Sequence, residues 1–377
     1  MAGIYVHIPF CESRCKYCDF FSTTRLEQRD AYVAAVAKEV ARRNGYLPSQ
    51  NIHTVYFGGG TPSMLSVEQI GRVLGELRKY YVFDADAEIT TEANPSDINE
   101  EKLRGWKELG INRLSIGIQS FQDAQLKQIG RRHNAEQARQ AVRMARDAGF
   151  ENISIDLMYG LPGETLEEWK EDVEEALKLD IEHVSAYCLS YEEGTPLTRA
   201  LMRKEIEEVD EETENAMYDW LTERLSRAGL ERYEVSNFAK KGFESQHNSS
   251  YWNGIPYLGL GAGAHSYDGK TRQWNVCDLE QYIRGVEQGE TYFEKEVLTK
   301  NDLYNEYIML RLRTREGVNL SMVPRSMQEV CKGVAKRYIE NGKLRIENEE
   351  GEDHLVATQE GIHILNRIIE DLMKVEN

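Results

Sequence analysis

Three cysteines fall within eight positions of the stretch HIPFCESRCKYCDFFS: Cys11, Cys15 and Cys18. A disulfide framework uses an even number of cysteines and a closed structural zinc site uses four ligands, so three thiols leave a vacancy. The C-x3-C-x2-C spacing suits a cubane 4Fe–4S cluster in which one iron lacks a protein ligand and can chelate a small molecule. The competing reading is a structural zinc site completed by a distant His or Cys. Cys188, Cys277 and Cys331 stand alone and read as ordinary buried thiols of a reducing compartment.

Other candidates follow. Gly58, Gly59 and Gly60 let the backbone pass close to a ligand because no side chain intervenes, and Thr61 adds a hydroxyl. The run GLGAGAHS has the look of a dinucleotide loop, but it opens no β-α-β unit and no acidic partner follows it, so a close packing contact is expected and His265 is left without a role. HNSSYW joins His247, an imidazole able to ligate iron, to the flat apolar rings of Tyr251 and Trp252. A loop histidine is more often a capping residue, and both readings stand at this point.

Something must position these groups. Apolar, β-branched runs at 3–8, 53–59, 87–93, 113–119, 152–158 and 183–189 alternate with amphipathic helical stretches near 28–44, 66–80, 99–109, 134–148 and 165–179. Six such units predict a parallel sheet with helices outside it, either doubly wound or curled into a barrel. In both arrangements ligands bind at the C-terminal ends of the strands. The cysteines follow the first run, the glycines end the second, and Glu92, Gln119, Arg131 and Asp156 lie at or just beyond later ones.

With these residues in place, the chain resembles the radical S-adenosylmethionine (SAM) superfamily, whose signature is this cysteine spacing with an aromatic, here Tyr17, before the last cysteine. The resemblance implies an α/β fold, a partial (β/α)6 TIM-like barrel, with a 4Fe–4S cluster on Cys11, Cys15 and Cys18 and SAM chelated at the open iron. It runs from YVHIPFC to TQEGIHILN and points to the oxygen-independent coproporphyrinogen III oxidase-like branch. It implies SAM contacts from Tyr5, Tyr17, Gly60, Thr61, Glu92, Gln119, Arg131 and Asp156. In that reading a strand-end carboxylate bonds the ribose and Arg131 pairs with the SAM carboxylate.

The branch holds enzymes that decarboxylate porphyrinogen propionates and haem chaperones. Only ten residues precede Cys11, Asp19 and Phe20 follow Cys18, and the H-N-x-x-Y-W pattern is present at 247–252, all of which resemble the chaperones. The expectation is a haem chaperone that binds haem through His247, Tyr251 and Trp252 and passes it to a haem-accepting protein. A flavodoxin- or ferredoxin-type electron donor is implied as well. The runner-up is the decarboxylase, and a zinc-stabilised scaffold is the third reading.

The rest of the chain bounds these readings. Its 377 residues allow a barrel over 1–200, an extension over 201–295 that carries HNSSYW, and a winged-helix-like α+β domain over 296–377. A net charge of −18 disfavours nucleic acid as a partner. The absence of an apolar run long enough to span a bilayer, and of a signal-peptide pattern, predicts a cytoplasmic protein. Delivery to respiratory proteins would add transient membrane association.

Overall fold

The structure is a computed structural model and describes residues 1–349 and 351–374. Each predicted run becomes a strand: β1 (Gly3–Ile8), β2 (Asn51–Gly59), β3 (Val82–Ala93), β4 (Arg113–Gln119), β5 (Asn152–Tyr159) and β6 (His183–Cys188). Between them lie α1 (Arg29–Arg42), α2 (Val67–Tyr80), α3 (Glu100–Glu108), α4 (Asp123–Gln128), α5 (Ala135–Asp147) and α6 (Leu166–Lys178). The six strands pair in parallel and in sequence order. Their apolar residues are buried on both faces, as a helix-covered parallel sheet requires.

The helices begin where local chemistry ends the preceding loop. Ser66, Asn134 and Thr165 each cap a helix through a reciprocal capping box, with Gln69, Gln137 and Glu168 as the third residues. Their inner faces are anchored by Trp106 and Trp169, both fully buried. Burial of an apolar side chain of this size contributes roughly 1.5–3 kcal/mol.

Residues after β6 extend the same sheet on both sides. Following α7 (Pro196–Met202) and α8 (Glu211–Arg227), β7 (Glu231–Glu234) and β8 (Asn237–Ala239) extend the sheet, β8 antiparallel to β6 and β7 antiparallel to β8 at the edge. Next come α9 (Gln246–Trp252), β9 (Tyr257–Leu260), β10 (His265–Tyr267), β11 (Thr271–Asn275), α10 (Leu279–Gln288) and β12 (Phe293–Val297). β9 returns to pair in parallel with β1, and β10, β11 and β12 continue outward as antiparallel neighbours. The glycines of GLGAGAHS serve that return: a Cβ on Gly261, at φ 98°, would sit 2.3 Å from the Tyr32 hydroxyl.

The C-terminal unit comprises α11 (Lys300–Arg311), β13 (Val318–Asn319), α12 (Arg325–Glu340), β14 (Leu344–Glu349), β15 (Glu352–Ala357), α13 (Gln359–Ile362) and α14 (Leu365–Leu372). Helices around a three-stranded antiparallel sheet in the order β13-β15-β14 make a winged-helix-like arrangement. The chain's last helical stretch is divided in two after Ile362. Among the described residues no helix is long and apolar enough to cross a membrane. Two of the isolated cysteines differ from expectation as well. Cys331 is buried, whereas Cys188 and Cys277 are exposed.

Candidate functional site

The loop after β1 is tied down at both ends. Thr23 N–H donates to Pro9 O at 2.6 Å and Cys11 N–H to Thr23 O at 2.9 Å, and Lys16 N–H reaches Ile129 O at 3.0 Å. Cys11, Cys15 and Cys18 are all free and partly exposed, and all three line one cavity of about 530 Å³ at the C-terminal ends of the strands. The loop's own hydrogen bonds therefore carry three thiols to the place where a barrel keeps its ligand.

The thiols are poised for a cationic core. Burial pushes Cys18 up to about 11, with further contributions from Cys15 and Cys11, and burial raises Cys11 as well. Three adjacent thiolates need a positive partner, which an iron–sulfur core supplies. Among the described residues no three His, Cys, Asp or Glu side chains converge on a single ion position.

Other predicted residues surround the thiols. Thr61 Oγ1 is 3.4 Å from Cys11 Sγ, and Arg131 Nη1 donates to Cys15 Sγ at 3.3 Å. Arg131 also donates to Gly117 O, while its buried Nε has no partner. At the end of β2, a Cβ on Gly60 would come within 2.8 Å of the Pro9 carbonyl carbon, so only glycine fits between the β1 and β2 exits. Gln119 takes φ 74° where β4 shifts register against β5, a strained conformation for a non-glycine residue at a cavity wall.

Glu92, next to last in β3, accepts from Tyr56 Oη at 2.9 Å and Gly59 N–H at 3.2 Å. Burial and the nearby Asp156 push its carboxyl up to about 8. Asp156 accepts from Ser115 Oγ at 3.1 Å and is likewise raised by burial. Tyr5, Tyr17, Gly60, Thr61, Glu92, Gln119, Arg131 and Asp156 all line the cavity that holds the cysteines. An orphaned guanidinium nitrogen, raised carboxyls and a glycine-lined approach suit a ligand bearing both an amino and a carboxylate group.

Sequence reasoning missed Arg113. It opens β4, is 1% exposed, lines the same cavity and forms no ion pair among the described residues. Its Nε also lacks a hydrogen bond. A buried arginine near the barrel axis has no signature in a single strand that otherwise reads as apolar.

The HNSSYW residues divide between two places. His247 is 1% exposed; its Nδ1 lies 2.8 Å from Thr54 Oγ1 and its Nε2 2.9 Å from Tyr251 Oη. The ring stacks on Tyr56 with centroids 5.1 Å apart, and burial lowers its pKa to about 3. Glu88 accepts from the backbone N–H groups of Gln246 and His247 and so fixes the start of α9. Where the sequence led us to expect an iron ligand, both ring nitrogens of His247 are engaged inside the fold, by Thr54 and Tyr251. Tyr251 borders the cysteine cavity, whereas Trp252 does not. Trp252 lines a second cavity of about 880 Å³, which shares Tyr5, Asp19, Phe20, Gly59, Glu92 and Tyr251 with the first.

Comparison with known proteins matches residues 5–176 to the radical SAM superfamily and residues 298–364 to the HemN C-terminal domain. The chain is 38% identical over 351 residues to the haem chaperone HemW of Bacillus subtilis, covering 91% of this chain and 93% of that one. Identity is 32% with the haem chaperone HemW of Escherichia coli, covering 98% of this chain and 97% of the relative. The solved structure of coproporphyrinogen III oxidase HemN from Escherichia coli, a radical SAM enzyme, superposes with a TM-score of 0.83 at 23% identity. That match covers 99% of this chain and 90% of HemN, and at this identity it speaks for the fold alone. The cofactors that this superfamily carries, a 4Fe–4S cluster and SAM, are those of this chain. With relatives of this similarity spanning nearly its whole length, the chain belongs to the radical SAM superfamily and, within it, to the HemW family.

Proposed function

We propose that this protein is a haem chaperone that binds haem beside a barrel loaded with SAM and a 4Fe–4S cluster, and hands the haem to a haem-requiring protein. The observation that carries the reading is the convergence of Cys11, Cys15, Cys18 and the eight expected SAM residues on one cavity, with a second cavity opening through a shared wall. Curated relatives over almost the whole chain bear the name haem chaperone.

In this reading Cys11, Cys15 and Cys18 hold the cluster, whose open iron supplies a chelation site for SAM. Arg131 and Gly60 receive the amino-acid end of SAM, and Glu92, Gln119 and Asp156 receive its polar remainder. Tyr5 and Tyr17 pack alongside, and Thr61 adds a hydroxyl beside Cys11. His247 orders the wall between the cavities through Thr54 and Tyr251. A flavodoxin- or ferredoxin-type protein would reduce the cluster. The proposed setting is cytoplasmic, with transient membrane contact when the acceptor is a membrane-bound respiratory protein.

The test is anaerobic reconstitution followed by iron and sulfide analysis, SAM binding, haem titration and transfer to an apo-haem protein. Haem uptake and transfer without conversion of coproporphyrinogen III supports the chaperone. Efficient formation of protoporphyrinogen under reducing conditions with SAM would replace it with the decarboxylase.

A further inference from the structure

Seven of the eight histidines hydrogen-bond through a ring nitrogen. His265 makes no such bond among the described residues. It stands on β10 opposite Trp274 of β11, and the two rings stack with centroids 6.2 Å apart and planes 26° from parallel. A ring held by its face keeps its edge, where the nitrogen lone pair lies, clear for a ligand. His265 is exposed, yet it lines the second cavity. Partial burial of the ring and the cation of Arg272 hold its pKa below the usual histidine range, which keeps the imidazole in its metal-binding neutral form.

The cavity around it is lined largely by aromatic and apolar side chains. At about 880 Å³ it falls within the roughly 300–1,000 Å³ of small-molecule and cofactor sites. The cluster loop contributes Phe20 and Phe21, α9 contributes Trp252, and α11 of the C-terminal unit contributes Leu310. Phe20 is 66% exposed, a large aromatic with no partner of its own, and the buried indole nitrogen of Trp252 has no acceptor. Beside the cysteines, Phe20 offers a flat apolar face to a ligand in the cavity. Arg272 lines the same wall, its guanidinium ion-paired with Glu306 at 2.5 Å and donating to Tyr257 Oη at 3.2 Å.

We propose that His265 is the axial iron ligand of a haem seated in this second cavity, between β10, the cluster loop and α11. This rests on the haem-chaperone reading above. The macrocycle would lie against Phe20 and Trp252, and His247 would shape the cavity from behind Tyr251 without touching the iron. Ferric haem that exchanges between carrier and acceptor needs a site open on one side, and the exposed His265 ring stands at such an opening.

The full-length, cluster-loaded protein titrated with haem tests the assignment. Absorption differences against haem-free protein and resonance Raman spectra of the ferrous complex are the readouts. Wild type should show an iron–histidine stretching band. His265→Ala should lose that band and bind haem on the order of tenfold or more weakly, the range expected when a metal site loses a supporting group. Added imidazole should restore a histidine-type spectrum in His265→Gly. His265 is exposed, so the core is intact in these variants, and Cys277→Ser, in the same cavity, should leave the band in place. A wild-type band that persists in His265→Ala, or a spectrum that changes only in Cys277→Ser, overturns the ligand assignment and leaves the chaperone reading standing. Failure of wild type to bind haem at all removes both.

Discussion

The Nη1 of Arg131 donates to the Sγ of Cys15 at 3.3 Å, across 116 residues of chain. Hydrogen bonds and charge at the sulfurs set the potential of a thiolate-bound cluster. Removing this cation makes adding an electron harder, so Arg131→Met should shift the cluster potential to more negative values in an EPR-monitored redox titration. SAM affinity should fall with it, since one charge-assisted hydrogen bond contributes about 1.5–3 kcal/mol. An unchanged potential together with unchanged SAM affinity would take Arg131 out of both roles.

The cluster itself is predicted to depend on all three thiols. A Cys11→Ala/Cys15→Ala/Cys18→Ala variant should retain its fold, because the surrounding loop is held by backbone bonds from Thr23 and Lys16. Its iron and acid-labile sulfide should drop to background, with loss of the broad visible absorption. Stoichiometric zinc in anaerobically purified wild type would defeat the cluster assignment.

Glu92 gives a pH dependence with a definite sign. Its carboxyl titrates near 8 when folded, against roughly 4.3 in an unfolded chain. Between those values the folded state holds a proton that the unfolded state has released, so stability falls as pH rises. The stabilisation is complete below about pH 4 and is lost as pH passes through about 8. Urea unfolding of the cofactor-free chain from pH 5 to 9 should show wild type losing stability relative to Glu92→Gln. Parallel curves for the two proteins would contradict the shift.

His247→Ala should cost stability. The substitution strands Thr54 Oγ1 and Tyr251 Oη and leaves a void beside Tyr56, together on the order of 2–4 kcal/mol. The iron–histidine band of bound haem should stay. Loss of that band at full stability would return the ligand role to His247.

The six barrel strands were legible because each is a short β-branched run bounded by turn residues, and the cysteine spacing told its chemistry without a fold. The strand-end residues were legible for the same reason: a parallel sheet assigns its C-terminal edge to ligands. What stayed hidden depended on distant pairing. His247 reads as a free loop imidazole until Thr54, 193 positions earlier, is placed against it. Arg113 looks like a strand's polar entry until the barrel closes over it. His265 gained its role from a cavity built by β10, the cluster loop and α11, three segments that share no local pattern. Cys277 is open to solvent because it lies past the end of β11, beyond the packed part of the sheet.

The pairing of β9 with β1 orders events during synthesis. Until Tyr257–Leu260 leaves the ribosome, the strand that presents the cysteine loop is an unpaired edge, open to association with other nascent chains. Two-thirds of the polypeptide must emerge before the loop has a finished support, so loading of the cysteine loop follows the emergence of Tyr257–Leu260.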